Sequence, residues 1–428
     1  MRKLRRALLS PYHYLWALGS ALYYGFPARK LTVIGVTGTK GKSSVTEMLY
    51  ATCTAAGLPT AVAGTIRFAI RDESRPNLYK MTLPGRGFIQ QFLAEAVEKG
   101  CTHAVVELTS EGALQHRHRF LALDALVFTN LHREHIESHG SFEKYADAKF
   151  RIGKALAASP KRPRAIVANA DDPESARYLA LPVEERLPFS YADAGDVALG
   201  AGTAAFTYHG TRFTMQLPGS FSVMNALAVA KVGEFLALPL ERVSEALASL
   251  ERIPGRTERV ELGQPFTAVV DYAHTPDSLR ALYDAYPVRK VCVLGNTGGG
   301  RDTWKRPAMG KIADGACDAV ILTNEDPYDE DPRAIVDAMA AGMARTPQII
   351  MDRREAIRAA LRLALSMSKG AESLDSSRDT QDRVAVLITG KGTDPFIMGA
   401  KGSKEPWSDA RVVREELEQL VGGSRQEP

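Results

Sequence analysis

The sequence predicts an α/β fold with mainly parallel sheets, arranged as two successive domains. From Leu31 onward, short β-branched runs alternate with helical stretches, which is typical of strand–helix–strand units. A glycine-rich turn at 35–44 joins an apolar run to a helical one. A Pro-Gly-Arg break at 254–256 is followed by a second series of the same kind. Each domain is therefore expected to have its own sheet and core.

The strands of the first series are expected at LTVIGVT (31–37), HAVVELT (103–109), DALVFTN (124–130) and RAIVANA (164–170). Apolar alternation around 200–217 predicts an antiparallel ribbon, and helical stretches follow near 223–238 and 241–252.

The second series predicts strands at FTAVVDYA (266–273), KVCVLGN (290–296), DAVILTNED (318–326), QIIMD (348–352) and VAVLITG (384–390). We place the domain boundary near 253. The polar segment 368–382 has little to bury and predicts a flexible surface loop.

Composition excludes several classes of protein. The 428 residues are 45% apolar and 24% charged, which argues against a disordered, collagenous or coiled-coil chain. The net charge of +4 equals the four basic residues of the first six, so no basic face for nucleic acid is predicted. The cysteines, which form no CxxC pair, argue against a disulfide framework or a zinc site; they are Cys53, Cys101, Cys292 and Cys317.

Residues 1–30 form a basic, aromatic arm. It resembles a signal peptide, but Pro11, His13 and several tyrosines interrupt the apolar run and no small-residue cleavage site follows. Two interpretations stay open: a helix packed on the next domain, or an anchor at a membrane interface, where Tyr and Trp beside Lys and Arg are favoured.

The segment GVTGTKGKSS (35–44) has the context of a phosphate-binding loop, since it lies between a strand and a helix. Its glycines let backbone N–H groups approach phosphate oxygens, Lys42 would reach the β and γ phosphates, and Ser43 would bind Mg²⁺. Val36 occupies the usual first glycine position. The predicted ATP contacts here are Gly38, Thr39, Lys40, Gly41, Lys42, Ser43 and Ser44.

Eight segments in this order form a specific set: GVTGTKGKS, VELTSEGALQHR (106–117), VFTNLHREHIESHGSFEKYADAKFRI (127–152), NADD (169–172), PGRTERV (254–260), VVDYAHTPDSL (269–279), GNTGGGRDTWKRPAMG (295–310) and GKGTD (390–394). By these segments the chain resembles the Mur ligase family of ATP-dependent amide-bond-forming enzymes, and within it the MurE-type subgroup. The resemblance implies a P-loop ATPase domain at 31–253 and a Rossmann-like domain at 254–428, after the arm at 1–30.

The resemblance also implies the chemistry. Such enzymes phosphorylate a carboxylate with ATP, and an amine then displaces phosphate from the acyl phosphate to form an amide. That transfer needs positioning and charge neutralisation. By family match the catalytic residues are Lys42, Glu107, His135 and Lys149. The metal ligands would be Ser43, Glu107, His135 and a Lys149 carbamate derived from CO₂, and they would hold two Mg²⁺ ions.

Further nucleotide contacts are expected by the same match at Asn169, Asp172, Asn225, Arg256, Asp271, Tyr272 and His274. Ser222 stands where the family usually has an asparagine, which puts the adenine contacts in question.

The resemblance places the muramoyl-peptide acceptor and the incoming amino acid at nine positions: Thr82, Thr109, Gln115, Arg117, Arg301, Asp326, Tyr328, Gly390 and Asp394. Leu83 replaces the second threonine of a usual pair, and Glu111 stands where histidine is common. The specificity segment is Glu325-Asp326-Pro327-Tyr328, without the arginine of diaminopimelate-adding enzymes. With the extra acids Asp329, Glu330 and Asp331, this favours lysine or another diamine over diaminopimelate.

MurE-type enzymes usually begin with a UDP-binding domain, whereas only 30 residues precede the ATPase strand in this sequence. The acceptor can therefore be UDP-linked or lipid-linked. Alternative functions are another Mur-like ligase, of the folylpolyglutamate or poly-γ-glutamate type, a nucleotide-dependent binding or regulatory module, and a P-loop kinase. The resemblance implies a muramoyl peptide and an amino acid as partners. The scattered cysteines fit a reducing compartment and ATP chemistry belongs in the cytosol, so a cytoplasmic location is expected. No nucleic-acid partner is expected, and the oligomeric state is left open.

Overall fold

The computed structural model describes residues 2–134, 139–300, 302–369 and 384–423. It divides the chain into two compact units. The first comprises Met1–Ala198, Ala205–Met215 and Phe221–Glu251, and the second comprises Leu199–Ala204, Gln216–Ser220 and Arg252–Pro428. Most of the surface loop predicted at 368–382 lies outside the described residues.

The first unit contains a mainly parallel sheet. In chain order its described strands are β1 (Thr32–Thr37), β2 (Thr60–Ala63), β3 (Arg67–Ile70), β4 (Glu73–Pro76), β5 (His103–Glu107), β6 (Ala125–Phe128), β7 (Ala165–Asn169) and β8 (Glu185–Phe189). They lie in the order β4-β3-β2-β5-β1-β6-β7-β8. Strand β1 pairs in parallel with β5 and β6 near the middle, and the β2–β3–β4 edge is antiparallel. The carboxyl ends of β1, β5 and β6 therefore meet at one edge, where active sites of open α/β sheets form.

Helices accompany this sheet, and its central strands β2, β5, β1 and β6 are buried except at the first residues of β5 and β1. The helices are α1 (Arg2–Tyr23), α2 (Lys42–Ala55), α3 (Phe88–Glu98), α4 (Ser110–Leu114), α5 (Phe142–Ala157) and α6 (Ser175–Leu179). Three strands, β9 (Gly195–Gly200), β10 (Thr203–Tyr208) and β11 (Thr211–Met215), form a small separate sheet. The helices α7 (Ser220–Phe235) and α8 (Leu240–Ala248) follow.

The second unit has its own sheet, with the described strands in the order β12-β13-β17-β14-β15-β16. The strands are β12 (Glu258–Arg259), β13 (Thr267–Asp271), β14 (Arg289–Leu294), β15 (Ala319–Leu322), β16 (Gln348–Ile349) and β17 (Val384–Thr389). All pairs are parallel except β12 with β13. The hairpin β18 (Phe396–Met398) and β19 (Lys404–Pro406) lies beside it. The helices are α9 (Pro276–Asp284), α10 (Lys305–Ala316), α11 (Pro332–Ala340), α12 (Arg353–Lys369) and α13 (Asp409–Gly423).

The predicted α/β class with mainly parallel sheets is confirmed, and each strand expected from the apolar runs is present. The expectation against disulfides is wrong for one pair: Cys292, in β14, is bonded to Cys317, which follows α10. The parallel pairing of β14 with β15 brings these residues together although 25 positions separate them, so their spacing in the sequence was no guide. Among the described helices, none is both long and apolar enough to span a bilayer.

Candidate active site

The predicted phosphate loop lies between β1 and α2, at the carboxyl edge of the first sheet. Gly38 has φ 147° and Gly41 has φ 80°, conformations that favour glycine. A Cβ at Gly38 would lie 1.9 Å from Thr129 Oγ1, and one at Gly41 would lie 2.5 Å from Asn225 Oδ1. Helix α2 begins at Lys42, so its first N–H groups point toward the loop. This is an anion-binding arrangement.

The segment after β6 holds the phosphate loop in place. Asn130 Oδ1 accepts from the Lys40 N–H at 2.8 Å, and Thr129 Oγ1 donates to the Lys40 carbonyl at 2.6 Å. Asn169 donates to the Thr129 carbonyl at 2.8 Å, and Asp172 accepts from Leu131 N–H at 2.6 Å. Asn169 and Asp172, both predicted nucleotide contacts, therefore hydrogen-bond to the segment after β6, which in turn holds the phosphate loop.

Ser43 and Glu107 come together beneath the phosphate loop. Ser43 Oγ donates to Glu107 Oε1 at 3.1 Å, and Glu107 Oε2 accepts from the Thr65 N–H at 2.8 Å. Both side chains are buried. Lys42 Nζ donates to the Thr39 carbonyl at 2.9 Å, so the predicted phosphate-binding ammonium lies on the loop itself.

Lys149 is a buried lysine beside the same loop. Its side chain comes from α5, and Nζ donates to the Gly38 carbonyl at 2.5 Å. Burial lowers the pKa of Lys149 well below its usual value, and the positive charge of Lys42 lowers it further. Tyr145, one turn earlier, shares a hydrogen bond of 2.9 Å with Thr39.

A divalent cation fits part of this site. Ser43 and Glu107 supply adjacent oxygens, the ligand type that Mg²⁺ prefers. Within the described ranges no three His, Cys, Asp or Glu side chains cluster as a metal site. The third predicted ligand, His135, lies outside the described residues.

Of the predicted acceptor residues, Thr82 is linked to Glu107 by hydrogen bonds through Thr65. Thr82 Oγ1 is 2.9 Å from Thr65 Oγ1, so a chain of contacts runs from Ser43 through Glu107 and Thr65 to Thr82. Arg117 donates to the Leu83 carbonyl and to Gln115 Oε1. Thr109 instead accepts from Gly112 N–H at 3.1 Å as the N-cap of α4.

In the second unit, Asp271 ends β13. Its carboxylate accepts from the N–H groups of Thr257 at 2.7 Å and Ala273 at 2.6 Å, and burial raises its pKa. The Arg256 guanidinium lies 4.4 Å from the centre of the Tyr272 ring, and His274 Nδ1 is 2.8 Å from the Tyr272 carbonyl. The four predicted residues 256, 271, 272 and 274 therefore form one cluster.

A second cluster follows β15 and β17. Lys391 Nζ is fully buried and lies 2.7 Å from Asp326 Oδ1 and 3.2 Å from Asp394 Oδ2. A Cβ at Gly390 would lie 2.2 Å from Glu325 Oε2, so this glycine permits close approach of the two loops. Glu325 Oε1 accepts from Thr297 at 2.8 Å.

The acids Asp329, Glu330 and Asp331, which follow this cluster, were expected to favour a cationic amino acid. Each of them instead has a local partner. Glu330 pairs with Arg306 at 2.6 Å, Asp331 caps α11, and Asp329 accepts from Lys401 N–H at 2.6 Å. The Tyr328 N–H donates to the Met398 carbonyl at 3.0 Å. Arg301 lies outside the described residues.

Sequence reasoning gave no role to several residues that build these sites: Thr65, Thr129, Asn130, Tyr145 and Lys391. Thr129 and Asn130 directly follow a strand neighbouring β1, which is a usable signal. No sequence signal marked Thr65, because the edge strands around it are short.

Comparisons with known proteins agree with this layout. The family model described as the Mur ligase middle domain matches residues 36–233, and the model described as the Mur ligase glutamate ligase domain matches 255–392. A UDP-N-acetylmuramyl-tripeptide synthetase of Roseiflexus sp. (strain RS-1) is 36% identical over 439 residues, covering 94% of this chain and 82% of its own. The chain belongs to the Mur ligase family.

Two solved structures resemble the chain as well. A UDP-N-acetylmuramoyl-L-alanyl-D-glutamate–2,6-diaminopimelate ligase structure is 27% identical, with a TM-score of 0.60, covering 91% of this chain and 79% of its own. A folylpolyglutamate synthase from Mycobacterium tuberculosis, complexed with ADP and AMPPCP, has a TM-score of 0.68 at 18% identity, covering 96% and 95%. The second likeness concerns the fold alone. Mur ligases are ATP-dependent amide ligases that act in peptidoglycan precursor synthesis.

Proposed function

We propose that this Mur ligase adds an amino acid to the carboxylate of a muramoyl-peptide acceptor through an acyl-phosphate intermediate. The observation that carries the proposal is the continuous path of contacts from the phosphate loop to the acceptor side. Ser43 contacts Glu107, Glu107 contacts Thr65, and Thr65 contacts Thr82. A γ-phosphate on the loop and a carboxylate near Thr82 would thus meet at Glu107.

In the first step a carboxylate oxygen attacks the γ-phosphorus of ATP, which forms the acyl phosphate and releases ADP. In the second step an uncharged amine attacks the acyl carbon, the C–O bond to phosphate breaks, and the amide, phosphate and a proton result. The loop amides and Lys42 hold the phosphates in line for the transfer. Residues 31–253 are assigned to this ATPase chemistry.

Mg²⁺, when bound, would supply the charge neutralisation that phosphoryl transfer requires. Ser43 and Glu107 would hold it, together with His135, and the family resemblance favours two ions. The supporting observation is the pair of adjacent oxygen donors below the loop.

Lys149 is proposed to carry a carbamate. An uncharged lysine nitrogen attacks CO₂, forms a C–N bond and releases one proton, which yields an anionic oxygen donor. Support comes from complete burial of Lys149 against the loop and from its lowered pKa, which favours the uncharged amine.

The second unit is proposed to contact the nucleotide through Arg256, Asp271, Tyr272 and His274. The incoming amino acid would bind at Arg301, Asp326, Tyr328, Gly390 and Asp394, within residues 254–428. We propose lysine or another diamine over diaminopimelate, because Tyr328 offers no guanidinium to a second carboxylate. The enzyme would work in the cytoplasm, with peripheral membrane contact through residues 1–30.

The test is a product assay by mass spectrometry. The protein is incubated with ATP, Mg²⁺, a muramoyl-alanyl-glutamate acceptor and either lysine, diaminopimelate or glutamate. An acceptor heavier by one amino acid residue, with stoichiometric ADP and phosphate, supports the proposal. Turnover of a folate acceptor alone would favour the folylpolyglutamate alternative, and ATP binding without turnover of any acceptor would favour a binding module. A phosphorylated acceptor that accumulates without amide would indicate a kinase.

A further inference from the structure

A cavity of about 510 Å³ lies in the first unit between α1 and the segment before α3. Aromatic faces line part of it, from Tyr12 and Trp16 of α1 and from Tyr79. Guanidinium groups line another part, from Arg86, Arg117 and Arg119. Nothing in the proposed reaction uses α1, Arg86 or Arg119.

The cations of this cavity lack carboxylate partners. Among the described residues, no Asp or Glu side chain forms an ion pair with Arg86, Arg117 or Arg119. Glu111 is the acid whose charge acts on Arg117, and it accepts a hydrogen bond from Gln115 at 3.0 Å. Arg117 Nε is buried without a hydrogen-bond partner. Three cations against one acid give the cavity a net affinity for anions.

Helix α1, which forms one wall of the cavity, is held against the rest of the first unit by side-chain contacts. Helix α1 contacts the rest of the unit through Ser10, whose Oγ is 2.9 Å from His116 Nε2, and through the Tyr14 ring on Phe120. At the other end, a Cβ on Gly87 would lie 2.7 Å from Ser20 Cβ. Arg86 itself has φ 57°, a left-handed conformation that is uncommon outside glycine.

The aromatic residues stay open to a ligand. Tyr12 is 43% exposed, Trp16 45% and Tyr79 52%, and each lines the cavity. Aromatic faces beside guanidinium groups suit a sugar ring that carries phosphate, since the ring packs on the aromatic face and the phosphate accepts from the guanidinium.

We propose that this cavity binds the phosphorylated sugar of the acceptor, with α1 as one wall. The inference rests on the proposed function for the identity of the acceptor. The acceptor carboxylate must reach Glu107 and Thr82, and Arg117 bonds the neighbouring Leu83 carbonyl. A muramoyl peptide that extends away from Thr82 past Arg117 therefore brings its sugar phosphate into the cavity. The phosphate can belong to a nucleotide-linked or a lipid-linked acceptor.

The test compares four acceptors with the same peptide: the free muramoyl dipeptide, its 1-phosphate, the UDP-linked form and the lipid-linked form in detergent micelles. The KM of the 1-phosphate is expected to be at least about tenfold below that of the free dipeptide, with a similar kcat. Arg86→Ala should remove most of this preference, because it removes a guanidinium assigned to the phosphate. Trp16→Ala should raise the KM of both acceptors, because it removes the aromatic face assigned to the sugar ring that they share. The linked form with the lowest KM identifies the source of the phosphate.

Two matched controls are available. Leu15→Ala shortens an exposed α1 side chain that does not line the cavity, and Arg362→Ala removes an exposed guanidinium of the second unit. Both should retain the preference for the phosphorylated acceptor. Thermal unfolding of each variant checks that α1 remains folded.

Calorimetric titration of the 1-phosphate into the protein without ATP separates this site from the reaction. Tight binding of the 1-phosphate that is lost in Trp16→Ala and Arg86→Ala supports the cavity assignment. If such binding is found but no acceptor is turned over, the proposed function is wrong and the cavity assignment stands. Equal KM values and equal affinities for the free and phosphorylated dipeptides overturn the cavity assignment, even if turnover is high.

Discussion

Replacing Gly38 by alanine tests the geometry of the phosphate loop. The new Cβ would lie 1.9 Å from Thr129 Oγ1, at a φ of 147° that side chains rarely adopt. The backbone strain costs roughly 1–3 kcal/mol. Displacing Thr129 breaks its hydrogen bonds to the carbonyls of Lys40 and Thr37, at roughly 0.5–1.5 kcal/mol each.

The expected total is roughly 2–6 kcal/mol, which lowers the midpoint of thermal unfolding of a unit this size by roughly 4–24 °C. Affinity for an ATP analogue should fall about tenfold or more, because loop amides move away from the phosphates. Differential scanning fluorimetry measures the first quantity and calorimetric titration the second.

Gly57→Ala is the matched control. Gly57 also has a positive φ, 75°, but a Cβ there would meet nothing within 4 Å. It should cost only about 1–2 kcal/mol and leave nucleotide affinity unchanged. Adding Thr129→Ala to Gly38→Ala should recover part of the stability. If Gly38→Ala were no more harmful than Gly57→Ala, the close packing of the loop against Thr129 would be refuted.

Three further outcomes are expected. Glu107→Gln should lower phosphate release at least about 100-fold while the fold is kept, because its amide oxygen can still accept from Thr65 N–H; near-normal turnover would exclude Glu107 as a metal ligand. Lys149→Met should abolish turnover but raise the free energy of unfolding. Because the pKa of Lys149 is lowered in the folded state, the unfolded chain binds one more proton than the folded chain between that lowered pKa and pH 10.5. The wild type therefore gains stability as the pH rises toward 10.5. In CO₂-free buffer the advantage of Lys149→Met in chemical denaturation should therefore be largest near neutral pH and shrink with rising pH, and an advantage that grows with pH would contradict this sign. Lys391→Met should cost about 3–5 kcal/mol in urea unfolding, because it removes the ammonium beside the buried carboxylate of Asp326. The double variant with Asp326→Leu should recover much of that loss; equal losses in both would rule out the buried pair.

The sequence predicted the strands of both sheets well, because parallel strands buried on both faces are continuous apolar runs. It predicted the phosphate loop for the same reason, since the loop follows such a strand. The short edge strands around Thr65 were missed, because four-residue segments carry little periodic signal.

Contacts between distant segments were harder to predict. The sequence contains Thr129, Asn130 and Lys391, but their roles depend on which strand ends lie side by side. Strand β1 pairs with β6, and Lys391 follows a strand inserted between β13 and β14. The Cys292–Cys317 bond was missed for the same reason, and the acids Asp329, Glu330 and Asp331 proved to have local partners.

Oxygen-isotope transfer is the most direct test of carboxylate activation by phosphorylation. The acceptor is prepared with ¹⁸O in the reacting carboxylate and turned over with unlabelled ATP and an amine donor. An acyl phosphate passes one of those oxygens to the released phosphate, so one ¹⁸O per amide formed is predicted by mass spectrometry. Amide formation with unlabelled phosphate would contradict the mechanism.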